Sequence, residues 1–117
     1  MVNTGLLGPY RLTFDAIDAV VVERGPGVFA LGRADRDGRF CVSHVGRSDA
    51  DIRSRLRDFI GSDSLFKYGY SASPEAAFHR ECELFHDIAP PRSLVHPGRM
   101  KGTSWECPRC RIFAGRG

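Results

Sequence analysis

The chain has 117 residues, 42% hydrophobic and 26% charged, with a formal net charge of +3. That is the size and balance of one ordinary domain, able to remove roughly two-thirds of its unfolded surface from water, and no stretch approaches the apolar length needed to cross a bilayer. The basic residues gather late: residues 90–117 hold Arg92, Arg99, Lys101, Arg109, Arg111 and Arg116 against one acid, Glu106, so the preceding body is slightly acidic. A basic tail suits a polyanionic partner and equally suits ordinary solubility.

In chain order, residues 1–18 contain Gly5, Gly8, Pro9 and a short alternating stretch around Tyr10 to Phe14, a lead-in segment or edge strand. Val20, Val21 and Val22 precede a turn at Arg24-Gly25-Pro26-Gly27, after which Val28 to Leu31 reads as a short buried strand. Asp37-Gly38 is a hairpin signal, Phe40 to Val45 returns as the antiparallel partner, and Ser48 or Asp49 can cap the next element. From Ala50 to Ile60 the residues Ile52, Leu56, Phe59 and Ile60 make the stripe of an amphipathic helix, stopped by Gly61. Leu65 to Tyr70, rich in aromatic residues, is a third strand. Ser73-Pro74-Glu75 supplies a capping hydroxyl, a proline at the first helical position and an early acid, so a helix should run from there to about Ile88, before Pro90-Pro91. The sum is a single α+β domain over 1–117: a small antiparallel three-stranded sheet flanked by helices, and a tail over 90–117 too poor in apolar residues to build a core of its own.

The N-terminus lacks a basic region followed by an apolar run, which sets a cytoplasmic address as the expectation. Four cysteines in a reducing compartment read as metal ligands or a redox pair. Cys107-Pro108-Arg109-Cys110 is a C-x-x-C knuckle whose spacing lets two thiolates share a tetrahedral ion. Cys82 and His86 stand at i and i+4 on the helix before it, on one face, and complete a Cys₃His set for a structural zinc that pins the tail; His79 is the alternative to His86. Free cysteines are also common as small buried hydrophobes, and Cys41, on a strand, is assigned to the core. A second signal is Glu81, an acid on the stripe formed by Ala77, Leu84 and Ile88. Either it reaches solvent at a cleft or it is held there for metal or proton work. Arg55 poses the same question beside Ile52, Leu56 and Phe59, while Arg53 and Arg57 point more outward.

Read in order, these residues resemble the GIY-YIG superfamily of nucleases. Gly27-Val28-Phe29 is similar to its first motif, His44-Val45-Gly46 to its second, Arg55 to the family arginine and Glu81 to the family glutamate, over residues 27 to about 88. The stretch from Val45 through the knuckle also resembles small bacterial members with a cysteine tail. The resemblance implies a divalent ion, usually Mg²⁺, on Glu81, an arginine that stabilises developing charge, and a tyrosine or neighbouring base that activates water. Both motif tyrosines are replaced here, by Phe29 and His44, and the late family asparagine has no counterpart, since the one Asn is Asn3. His44, with a pKa near neutrality, takes the role of base in that reading. The expected activity is cleavage of phosphodiester bonds in nucleic acid, above all DNA, with Arg47, Arg53, Arg57, Arg99, Lys101 and Arg109 gripping the backbone. The alternative is a catalytically silent, zinc-stabilised module that binds nucleic acid or protein.

Overall fold

A computed structural model describes residues 5–93 and 95–113. The remainder of the lead-in, 1–4, and within the tail residue 94 and residues 114–117, including Arg116, lie outside the described residues. The elements are β1 (Leu7–Arg11), α1 (Phe14–Val20), β2 (Gly27–Ala34), β3 (Phe40–Ser48), α2 (Ile52–Arg57), β4 (Leu65–Tyr70) and α3 (Pro74–Ile88). The sheet is antiparallel with strand order β1-β4-β2-β3, so the α+β class holds and the three expected strands become four. The fourth is the lead-in: Leu7 to Arg11 adds to the edge of β4 with a register shift between Leu7 and Tyr10, and an edge is where a strand tolerates Pro9. Among the described residues no helix is long and apolar enough to cross a membrane.

Period-2 alternation along β2 divides the core. Phe29 and Leu31 face α1 and α2 and pack with Ile17, Val21, Ile52, Leu56, Phe66 and Tyr68. Val28 faces α3 and packs with Val45, Ala77 and Leu84. α1 was not expected. Its seven residues carry little periodic signal, and it is held by the Thr13 cap, whose hydroxyl accepts from Ala16 N at 3.2 Å, and by burial of Ile17. α2 is shorter than the stripe predicted. Its cap is Asp51, not Ser48 or Asp49: Ser48 Oγ accepts from Asp51 N at 2.9 Å and shapes the approach, while Asp49 pairs with Arg47. Phe59 and Ile60 still pack on the core from beyond the helix, Phe59 in a turn and Ile60 in an isolated bridge to Asp63. α3 begins and ends where the sequence places it, with Ser73 as cap. Cys41 is exposed rather than in the core, because it lies towards the solvent end of the β2–β3 hairpin.

Two motif glycines have steric reasons. At Gly27 a Cβ would lie 2.5 Å from Gly69 O, so β2 and β4 require the bare backbone there. At Gly46 a Cβ would lie 2.5 Å from Cζ of Phe29, a ring that is fully buried. Gly46→Ala is therefore expected to cost about 1–3 kcal/mol through overpacking, read as a lower midpoint in urea unfolding; an unchanged midpoint would show that the ring yields.

Candidate functional site

The site begins with a helix that must stop. Ala89 takes the left-handed conformation (φ 49°) and donates to Phe85 O, which ends α3 ahead of Pro90-Pro91. The chain then turns along the outer edge of β3. Arg92 N donates to Ser43 O at 2.8 Å, and Val45 N donates to Ser93 Oγ at 2.9 Å. The Arg92 guanidinium meets the fully buried carboxylate of Asp63 at 2.9 Å, which also accepts from Ser43 Oγ at 2.8 Å. This strap delivers His96 to the cysteine knuckle.

His86, His96, Cys107 and Cys110 bring four potential ligand atoms within 4.8 Å of one another. His86 Nε2 lies 3.4 Å from Cys107 Sγ, and His96 Nε2 lies 3.4 Å from Cys110 Sγ. Tetrahedral zinc with its usual bond lengths places neighbouring ligand atoms roughly 3.5 Å apart, so this His₂Cys₂ group can hold a metal ion. His96 Nδ1 is 2.9 Å from Pro97 O, which as a hydrogen bond to that carbonyl frees Nε2 for an ion. Burial opposes ionisation of Cys107, but the Arg109 N–H, His96 and Cys110 outweigh it and hold the thiol down to about 6, as a thiolate ligand needs.

The fourth ligand therefore differs from the sequence reading: His96 stands in the group and Cys82 does not. Cys82 is fully buried beneath the knuckle with Phe78 and Cys107, and burial together with Cys107 pushes its thiol upward. It acts as a packed thiol. Cys82 packs beside Cys107 but is not one of the four residues whose ligand atoms all lie within 4.8 Å of one another. His79 is outside the group and faces Glu75 at 3.8 Å. Around the centre, Arg99 donates to Trp105 O at 2.9 Å and lies 4.7 Å over the Phe113 ring, and Arg109 pairs with Asp87.

The strap also walls a cleft of 470 Å³, whose lining includes His44, Arg47, Arg55, Glu81, Arg92 and Ser93. His44, from β3, rests 5.3 Å from the Phe59 ring, with Nδ1 3.1 Å from Ser93 Oγ. Its pKa is lowered: burial, Arg92 and Arg55 disfavour the imidazolium more than Asp63 and a backbone hydrogen bond at Arg92 favour it. Arg55 lies 4.9 Å over the Phe59 ring, its guanidinium half exposed and only loosely paired, at 3.4 Å, with Asp58. Glu81, 12% exposed, bonds Arg47 at 2.7 Å, and Arg47 bonds Asp49 at 2.8 Å. Burial raises the pKa of Glu81 and Arg47 acts against the rise. Tyr68 and Tyr70 are engaged elsewhere, with Val20 O at 2.9 Å and Glu23 N at 3.0 Å.

Three residues expected to act together, His44, Arg55 and Glu81, thus share one cleft. The expected phosphate contacts fare unevenly. Arg47 is buried in its ion pairs, Arg53 and Arg57 both bind Asp18 and tie α2 to α1, and Arg99 and Arg109 brace the tail. Lys101 is exposed and makes no ion pair among the described residues. Arg92, Ser93 and His96 were missed; a histidine in a proline-glycine loop upstream of a knuckle was the one available signal. Compared with family models, with curated proteins and with solved structures, the chain matches none.

Stripping the metal with a chelator should lower the thermal midpoint by roughly 10 °C, the size of a ligand-linked loss of about 3 kcal/mol. His96→Ala should lose stoichiometric metal by elemental analysis, whereas Cys82→Ala should keep it. The reverse pattern would restore Cys82 as the ligand.

Proposed function

We propose that this protein is a GIY-YIG-type hydrolase of phosphodiester bonds in DNA, assisted by a divalent ion such as Mg²⁺, with a structural zinc in its tail. The observation that supports it is the convergence of His44 from β3, Arg55 from α2 and Glu81 from α3 on one cleft. Two thiolates and two imidazoles suit Zn²⁺ among the available ions, and its role is to fold the strap. In the cleft, a carboxylate at Glu81 suits a hard divalent ion, which when bound polarises the scissile phosphate. Arg55 and Arg92 offset the charge that develops on the phosphate oxygens. His44, kept neutral by burial and its arginine neighbours, accepts a proton from the attacking water.

The pair between Arg47 and Glu81 favours a second reading. A carboxylate already neutralised at 2.7 Å has less to offer an ion, and a cleft so arranged also suits a silent module that binds a phosphate backbone through Arg55, Arg92 and Lys101. In the hydrolase reading Arg47 holds Glu81 in place until an ion displaces it.

Supercoiled and branched DNA incubated with Mg²⁺ separates the two. The chain should cleave, Glu81→Ala should lose at least about 100-fold in rate, and Arg55→Ala about 10²–10³-fold. No cleavage by the parent chain with any divalent ion leaves the binding module. The rate should also fall as pH drops through an acid limb centred below 6.5, because only neutral imidazole accepts a proton and the fold lowers the His44 pKa from 6.5. His44→Gln should remove that limb along with most of the activity.

A further inference from the structure

We infer that Ser93 is a positioning residue that sets the tautomer of His44, so that Nδ1 carries the proton and Nε2 is the bare base in the cleft. The inference rests on the role proposed for His44, and the argument is one of hydrogen-bond capacity. A serine hydroxyl has one proton to give and two lone pairs to receive. One lone pair of Ser93 Oγ takes Val45 N–H at 2.9 Å. Val45 O, at 3.3 Å, takes the hydroxyl proton. His44 Nδ1 lies 3.1 Å from the same oxygen, where one lone pair is still unused. Every capacity of the hydroxyl is filled when Nδ1–H donates to it, and a neutral imidazole then has its lone pair on Nε2. The opposite tautomer would take the hydroxyl proton from Val45 O and leave a lone pair of Oγ unused.

The same short stretch carries a metal ligand. His96 follows Ser93 by three residues, and Arg92, just before it, is fastened to Ser43 O and Asp63. Ser93 is thus held from both sides, by an ion pair behind and by the His₂Cys₂ group ahead. Through this strap His44 gains the Ser93 hydroxyl beside its hydrogen bond at the Arg92 backbone, and a metal in the His₂Cys₂ group would hold both in place.

The test is long-range ¹H–¹⁵N correlation spectroscopy of zinc-loaded protein labelled at histidine, at mildly alkaline pH, with the His44 signal assigned by its loss in His44→Gln. Wild type should show His44 protonated at Nδ1. Ser93→Ala should give a mixture of tautomers and reduce kcat about tenfold with KM little changed, and Ser93→Thr, which keeps the hydroxyl, should restore both. Protonation at Nε2 in wild type, or an unchanged tautomer in Ser93→Ala, would overturn the inference. If Ser93→Ala fails to fold, the wild-type tautomer and that of Ser93→Thr still decide. The tautomer is read without substrate, so a predicted tautomer in a chain that cleaves no DNA upholds the link between Ser93 and His44 and removes only the hydrolase reading.

Discussion

The docking of Arg92 and Ser93 against the outer edge of β3 shapes the wall of the cleft beside His44. β3 is an edge strand, and an edge strand presents backbone groups that need partners. Here Ser43 O receives Arg92 N–H and Val45 N–H reaches Ser93 Oγ. Val95, close by on the same segment, is 81% exposed, so apolar burial there contributes little to holding the segment in place. Arg92 is fastened to Asp63, and His96 lies in the His₂Cys₂ group that can hold a metal ion. Without the strap the cleft loses a wall and His44 loses the Ser93 hydroxyl.

On the opposite wall the balance is electrostatic. Glu81 and Arg47 are both about nine-tenths removed from water, where an isolated charge is costly and removal of one partner strands the other. Arg47 has a second acid, Asp49, and lies 5.2 Å from the Phe78 ring, so it is more firmly anchored than the carboxylate it serves. In the proposed hydrolase a cation arriving at Glu81 would compete with Arg47, while Asp49 would keep Arg47 paired. In this way the hydrolase and binding-module readings differ in one exchange rather than in the fold.

Much of the scaffold was legible because local signals agreed with tertiary demand. The Ser73-Pro74-Glu75 start and the run to Ile88 gave α3 its observed bounds, and the aromatic run Leu65 to Tyr70 gave β4. α1 was hidden because its stability comes from contacts distant in sequence: Ile17 buries in the main core, and Tyr68 Oη donates to Val20 O. α2 was overdrawn because Phe59 and Ile60 keep helical spacing while lying beyond the helix, in a turn and in a bridge to Asp63. In the site, Glu81 and Arg55 betrayed themselves by standing beside apolar stripes. Ser93 gave no such sign, and His96 gave only its place in a proline-glycine loop upstream of the knuckle, since their roles come from the path of the strap beside β3. Cys82 packs against Cys107 as its helix face suggested, but spacing along α3 could not show that His96 would complete the group of four.

If the metal-held strap is what closes the edge of β3, the backbone should report it. Amide hydrogen exchange at Val45, whose N–H meets only a strap hydroxyl among the described contacts, reads that closure directly. The account predicts strong protection in zinc-loaded protein and a large loss on chelation, with central β2 amides such as that of Leu31 far less affected. Equal protection of Val45 in loaded and stripped protein would contradict it.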